Sequence, residues 1–220
     1  MKRPTCVLIS LFLLFTTIAC TTNSKDGDLL FGENYSLADF QEGSWEIQED
    51  MLVALEDQVV WAPGEYENFQ LKFEFRNEDG TNSGIIVYCT DQENWIPSSV
   101  EIQIADDHGK WGSERTDFQC GAIFGHLPAN EQKVVLPPGE WNQMEVTCKG
   151  QLIEVVLNGK KVTSMDMSEW TSGTSNPDGS EIPSWLPTPF AELPTKGSIG
   201  FQGKHGDSSI SFRKVRISKI

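Results

Sequence analysis

The chain has 220 residues, 38% of them hydrophobic, and its 17 Lys and Arg against 32 Asp and Glu give a formal net charge of −15. So acidic a chain does not bind nucleic acid or an anionic membrane by charge. Its length suits one domain with a sizeable core.

The first residues, MKRPTCVLISLFLLFTTIAC, place Lys2 and Arg3 before an apolar run from Val7 to Phe15 and then Thr17-Ile18-Ala19-Cys20. A charged start, a short apolar core and a small-residue cleavage region make a secretory signal, too short for a spanning helix. Cys20 directly after Ile-Ala resembles a bacterial lipobox, in which the cysteine is lipidated and becomes the mature N-terminus. A plain signal peptide with an incidental cysteine is the alternative. Residues 1–19 thus read as leader, 20–30 as a polar tether without periodicity, and 31–220 as the domain. Removal of the leader takes two basic residues and no acid, leaving 15 basic and 32 acidic residues and a charge of −17. The expected location is the bacterial cell envelope, with the lipid as the only membrane contact. Cys89, Cys120 and Cys148 would face an oxidising compartment, as one disulfide plus a free thiol or as three thiols. Their spacings match no zinc pattern.

Beyond the tether the sequence alternates with a period of two and shows almost no helical period. In NFQLKFEFRNE, Phe69, Leu71, Phe73 and Phe75 share one face while Gln70, Lys72, Glu74 and Arg76 share the other. SGIIVYC (83–89) follows the turn residues EDGTN. VEIQIADDH (100–108) puts Val100, Ile102 and Ile104 on one face and Glu101 and Gln103 on the other. WNQMEVTCKGQLIEVVLNGKKV reads as consecutive hairpins, with turns at Lys149-Gly150-Gln151 and Asn158-Gly159. KGSIGFQGKHG and SISFRKVRISKI supply two further strands. Many short strands with frequent turns predict an all-β fold, a β-sandwich or jelly roll of two antiparallel sheets. Residues 164–196 break the rhythm with prolines, Trp170, Trp185 and no period. A segment of that length is usually functional or disordered, and its tryptophans favour packing on the domain.

Common catalytic signatures are missing: there is no GxSxG, HExxH, Gly-rich phosphate loop or CxxC. His108, His126 and His205 are scattered, and a lone histidine is more often structural than a ligand. Glu101 and Gln103 alone could be a hydrogen-bonding pair on an exposed strand face. In a jelly roll, however, a strand with a fully apolar core face can aim its other face at a groove. Glu101 and Gln103 then form the floor, Asp106 and His108 the rim, and Glu74 and Arg76 share the floor from another strand. A carboxylate, an amide and an imidazole suit sugar hydroxyls or a divalent cation, so Glu101, Asp106 and His108 are candidate metal ligands.

The series EYENFQLKFEFR, NSGIIVY, VEIQIADD, CGAIFG, PPGEWNQMEVTCKGQLIEVVLNGKKV and GSIGFQGKHGDSSISFRKVRI resembles, in order and spacing, the 3-keto-disaccharide hydrolase domain family over residues 40–220. NSG, E-x-Q-x-x-D, GEWN, LNG and the closing GFQ…HG…FR carry the resemblance jointly; FRKV departs slightly from the family's FRN. The resemblance implies a concanavalin-like jelly roll acting on sugars already oxidised to a ketone at carbon 3. Either hydrolysis or 1,2-elimination with hydration would cleave the glycosidic bond. It further implies a separate sugar oxidoreductase that makes the ketone. By position, Glu101 is the candidate base or cation ligand, Gln103 and Asp106 orient substrate or metal, and His205 in QGKHG is the next candidate for acid or ligand. Asn82 and Ser83 of NSG could form only a turn entering the strand, and Trp141 and Asn142 of GEWN a core tryptophan and turn. Trp185 is expected to contact substrate from a segment that walls the groove. Two other readings remain open: a non-catalytic carbohydrate-binding module with Trp111, Trp170 or Trp185 as its platform, and a structural lipoprotein domain that docks an enzyme. An enzyme predicts a pocket with convergent carboxylate and histidine, and a binding module an open aromatic strip.

Overall fold

A computed structural model describes residues 27–220. The leader, Cys20 and most of the tether lie outside the described residues. The strands are β1 (Asp28–Leu29), β2 (Trp45–Gln48), β3 (Met51–Ala54), β4 (Val60–Trp61), β5 (Phe69–Asn77), β6 (Asn82–Cys89), β7 (Val100–Ala105), β8 (Asn142–Lys149), β9 (Leu152–Leu157), β10 (Lys160–Asp166), β11 (Ser198–Phe201) and β12 (Ile210–Lys219). Among the described residues, helix is confined to short 3-10 turns. A larger sheet has the order β10-β9-β8-β5-β12-β3-β2, with β1 also on β12, and a smaller sheet the order β4-β11-β6-β7. All named pairings are antiparallel. The fold is the two-sheet jelly-roll sandwich that the alternation predicts.

The period of two builds the core directly. Phe69, Leu71, Phe73 and Phe75 of β5 are at most 3% exposed, and Ile85, Val87, Val100, Ile102 and Ile104 answer from the smaller sheet at 0%. Phe73, Phe201 and Phe212 tie the layers together through edge-to-face contacts, with Phe201 and Phe212 centroids 4.9 Å apart. Such pairs contribute about 0.5–1.5 kcal/mol each beyond their burial.

The β9–β10 hairpin turns on Asn158-Gly159 with φ of 49° and 79°. Positive φ at both positions is the primed turn that matches strand twist. Asn158 does a second job: its amide donates to Asn142 Oδ1 at 2.8 Å and to the Val134 carbonyl at 2.9 Å. Asn142, fully buried, also accepts from the Leu136 amide. GEWN and LNG are therefore joined by side-chain hydrogen bonds that fix the 134–142 loop against the hairpin. Trp141 is not a core residue. It is half-buried, stacked under Arg213 at 3.8 Å and Arg76 at 4.9 Å.

Cys89, Cys120 and Cys148 are buried free thiols. Burial pushes all three thiols up in pKa, which keeps them protonated and unreactive.

Residues 164–196 are packed, and β10 runs to Asp166, four residues past the end expected at Val162. Met167, Trp170, Ile182, Phe190 and Leu193 all join the core cluster. The Trp170 indole donates to Asn176 Oδ1 at 2.9 Å, and the Arg115 guanidinium, paired with Asp117, donates to the Glu181 carbonyl.

Candidate functional site

On β6 and β7 the residues facing away from the core are Asn82, Gly84 and Ile86, and Glu101 and Gln103. Register places Ile86 opposite Glu101 and Gly84 opposite Gln103. This outer face floors a cavity of about 430 Å³. Gln103, 1% exposed, donates its amide to Asn82 Oδ1 at 2.8 Å, which fixes both side chains. Gln202, directly after β11, completes the polar floor. Its backbone amide pairs with the Gly84 carbonyl, and its own carbonyl accepts from Ser83 Oγ at 2.7 Å. Asn82 and Ser83 thus belong to strand β6 itself, and Asn82 contributes to the cavity.

The walls come from loops. Trp95 and Ile96 lie in the β6–β7 connection, where Ser99 Oγ donates to the Trp95 carbonyl and Asp91 Oδ1 accepts two backbone amides. Phe124 follows β7 on a segment hydrogen-bonded along it, with the Phe124 amide donating to the Glu101 carbonyl. His126 braces that wall: it donates from Nδ1 to the Phe124 carbonyl and stacks on Phe190 with centroids 3.9 Å apart. Its burial pulls the imidazole down to about 4, so it stays neutral. Trp185 and Leu186 close the cavity from the 167–197 segment, with Trp185 still 57% exposed.

Glu101 is the chemically distinctive group. Its carboxyl sits on the floor with no hydrogen bond or ion pair to any described residue. Burial, with the like charge of Asp57 added, pushes it up from 4.5 to about 8. Across the cavity His205 Nδ1 meets Asp57 Oδ2 at 2.8 Å. A carboxylate can only accept, so Nδ1 carries the proton and Nε2 is left to serve a ligand. The site therefore combines an unpaired carboxyl of raised pKa, a carboxylate-oriented imidazole, three amides and an apolar rim.

The structure brings together Glu101, Gln103, His205 and Trp185, and separates the other expected residues from them. Asp106 is wholly buried and holds a turn: its carboxylate accepts from the amides of Gly80, His108 and Gly109 at 3.0–3.2 Å. His108 donates from Nε2 to the Val135 carbonyl. Asp107, also buried, accepts from the Cys120 amide through both oxygens. The expected metal set of Glu101, Asp106 and His108 does not converge, and among the described residues no cluster of three His, Cys, Asp or Glu side chains could hold an ion. Glu74 and Arg76 miss the floor as well, because their strand lies in the other sheet and their side chains leave by its outer face. There Glu74 accepts from Arg213 Nε at 2.6 Å and Lys214 Nζ at 2.9 Å. Partial burial would raise its pKa, but these cationic hydrogen bonds outweigh burial and hold it below the ordinary range. Trp111 donates its indole to the Gly80 carbonyl and lies outside the cavity.

Sequence reasoning missed Asp57, Trp95, Ile96, Phe124, Leu186 and Gln202. Gln202 stands in the GFQ motif and could have been found there. Asp57 sits in the loop LEDQVV with no periodicity to single it out.

A jelly roll with a cavity on the outer face of its smaller sheet, holding one free carboxyl and one oriented histidine, defines the class. The chain belongs to the 3-keto-alpha-glucoside-1,2-lyase-like domain family, whose model matches residues 25–218. Among solved structures it is similar to a candidate glycosyl hydrolase of Parabacteroides distasonis ATCC 8503, with 58% identity, a TM-score of 0.86, and coverage of 88% of this chain and 98% of that one. A second candidate glycosyl hydrolase of the same strain is 23% identical with a TM-score of 0.71, covering 89% and 94%. The carbohydrate binding module CBM66 of Bacillus subtilis shares the fold at 10% identity and a TM-score of 0.53, covering 83% and 95%. A comparison with curated proteins finds no match.

Proposed function

We propose that the protein is a carbohydrate-active enzyme that cleaves the glycosidic bond of glycosides oxidised to a ketone at C3. The family description and the 58% identical candidate glycosyl hydrolase support a carbohydrate substrate. The observation that carries the reaction is Glu101, an unpaired carboxyl raised to about 8 on the floor of a cavity that also holds His205. A carboxylate of that basicity is better matched to a carbon acid than an ordinary one. The second acid in the cavity, Asp57, is engaged by His205, so the pair does not supply the two free carboxylates of an ordinary glycosidase.

In the proposed reaction Glu101 takes the proton from C2, made acidic by the adjacent ketone, and the electron pair passes into the enolate. Collapse of the enolate forms the C1–C2 double bond and breaks the bond from C1 to the leaving oxygen, which takes a proton from Nε2 of the doubly protonated His205 ring, while its Nδ1–H stays on Asp57. Water then adds across the double bond. The amides of Asn82, Gln103 and Gln202 hold the sugar hydroxyls and the C3 oxygen. No step as written calls on a metal, and among the described residues no three His, Cys, Asp or Glu side chains converge to hold one. The ketone is supplied by a separate sugar oxidoreductase. We place the enzyme in the bacterial cell envelope on a lipid at Cys20, a reading that rests on the leader sequence; Cys20→Ser should then release it from membranes, and continued sedimentation with them would refute the anchor.

The decisive experiment incubates the protein with 3-keto-glucosides and the matching unoxidised glucosides in deuterated water. Cleavage confined to the ketones, with deuterium at C2 of the released sugar, is expected. Equal cleavage of unoxidised substrates overturns the elimination, and saturable binding of either set without turnover makes the domain a binding module.

A further inference from the structure

The smaller sheet poses a geometric problem. Glu101 is on β7 and His205 follows β11, and β6 lies between those strands. Neighbouring strands are about 4.8 Å apart, so a side chain standing upright on β7 is roughly two strand spacings from the β11 side of the cavity. Glu101 overcomes this by lying down across β6. It does not run over Ile86, its direct partner, but leans diagonally to Gly84. A methyl group built on Gly84 would collide with Glu101 Cγ at 2.7 Å, with Cδ at 2.9 Å and more severely with Oε1. The colliding atoms belong to the reactive end of the side chain rather than to backbone. Gly84 does not have a positive φ, unlike the turn glycines of this chain, so its backbone does not demand glycine. What demands it is the space that Glu101 occupies.

We propose that Gly84 is a positioning residue for the reaction: its missing side chain is the window through which Glu101 crosses β6 to share a cavity with Asp57 and His205. Any larger residue there would return the carboxyl to the β7 side, away from the histidine and toward solvent. This assigns the third residue of NSG a role in the site, alongside Asn82, which holds Gln103. The proposal rests on the assignment of Glu101 as base, and the experiment separates the two.

Gly84→Ala should fold and lose roughly 100-fold or more in turnover on a 3-keto-glucoside, the scale of a displaced general base. A role in structure alone would not move the titration of Glu101. The Glu101 carboxyl, followed by NMR and assigned by its loss in Glu101→Gln, should fall from about 8 toward the ordinary range of 4.5. That readout needs no substrate, so it holds even where the protein cleaves no ketoglycoside. Unchanged titration in Gly84→Ala overturns the proposal. A shifted titration with unchanged turnover keeps the positioning and removes Glu101 from the chemistry. In the double variant Gly84→Ala with Glu101→Gln, turnover should be no lower than in Glu101→Gln alone, because both changes act through one group. If Gly84→Ala does not fold, the double variant with Glu101→Ala, which lacks the colliding atoms, should; its failure to fold also overturns the proposal.

Discussion

Asp57 and His205 lie 148 positions apart in the chain and meet at 2.8 Å on the rim of the cavity. Asp57 comes from the loop between β3 and β4, and His205 from the loop after β11, which pairs with β4. Sheet pairing therefore delivers the carboxylate to the imidazole. Both side chains are about half exposed, at 52% and 55%, and an ion pair so exposed adds at most about 1 kcal/mol to stability. Its value is orientation of the ring.

Asp57→Asn should therefore leave the melting temperature almost unchanged while lowering turnover. Asparagine keeps an acceptor but loses the charge that stabilises a protonated ring, and its amide can turn a donor toward Nδ1. A fall of roughly 10- to 100-fold in kcat is expected, a part of what complete loss of a general acid costs. A thermal melt and a rate on the same preparation check it. A variant that melts early and turns over normally would make the pair structural.

Glu101 links stability to pH in a direction opposite to most acids. Its ordinary value of 4.5 applies in the unfolded chain and about 8 in the folded one. The folded state thus holds the proton more tightly, and the stability this provides is complete below pH 4.5 and lost as pH rises through 8. Glu101→Gln should consequently melt higher than the parent above pH 8 and at nearly the same temperature at pH 4, while losing at least ~100-fold in turnover. Parent kcat/KM should rise with pH along an acid limb set by ionisation of the Glu101 carboxyl near 8. A pH-independent rate, or a glutamine variant less stable at pH 9, would contradict the carboxyl's assigned state.

The sequence made the strands legible wherever alternation ran long enough. β5 through β12 follow from Phe69-Leu71-Phe73-Phe75, from Val100-Ile102-Ile104 and from Asn158-Gly159. β1 to β4 span only two to four residues each and carry too few turns of the pattern to be seen. The same alternation showed that Glu101 and Gln103 share a face, yet a period of two says nothing about which sheet a strand joins. Glu74 and Arg76 alternate as cleanly and face the opposite side of the sandwich. Asp106 illustrates a second limit: a carboxylate two residues before a histidine looks like a ligand set until its acceptors are counted against the backbone amides around it.

Asp106→Ala tests that distinction. Three backbone amides lose their acceptor, and each buried group left unpaired costs about 1–3 kcal/mol, so a loss of at least ~2 kcal/mol is expected in denaturant unfolding. Turnover by the protein that remains folded should stay within about twofold of the parent, since the Asp106 carboxylate is hydrogen-bonded to Gly80, His108 and Gly109 and to no residue lining the cavity. A stable variant with lost turnover would return Asp106 to the site.

Trp170 and Trp185 sit fifteen residues apart in the same irregular segment and should behave differently. Trp170 is 5% exposed and hydrogen-bonded to Asn176, so Trp170→Ala should cost about 3–5 kcal/mol, the range for a buried aromatic. For that reason replacement of residues 168–192 by a short linker would remove core as well as wall. Trp185 isolates the wall: it is 57% exposed and lines the cavity, so Trp185→Ala should leave unfolding within about 0.5 kcal/mol of the parent. Its indole offers a flat apolar surface to whatever enters, and losing it should raise KM or lower kcat/KM by roughly tenfold, equivalent to about 1.4 kcal/mol of binding. Trp185→Phe should recover much of that loss because a flat ring remains. Equal activity of the parent and Trp185→Ala across several leaving groups would show that the substrate does not touch this wall.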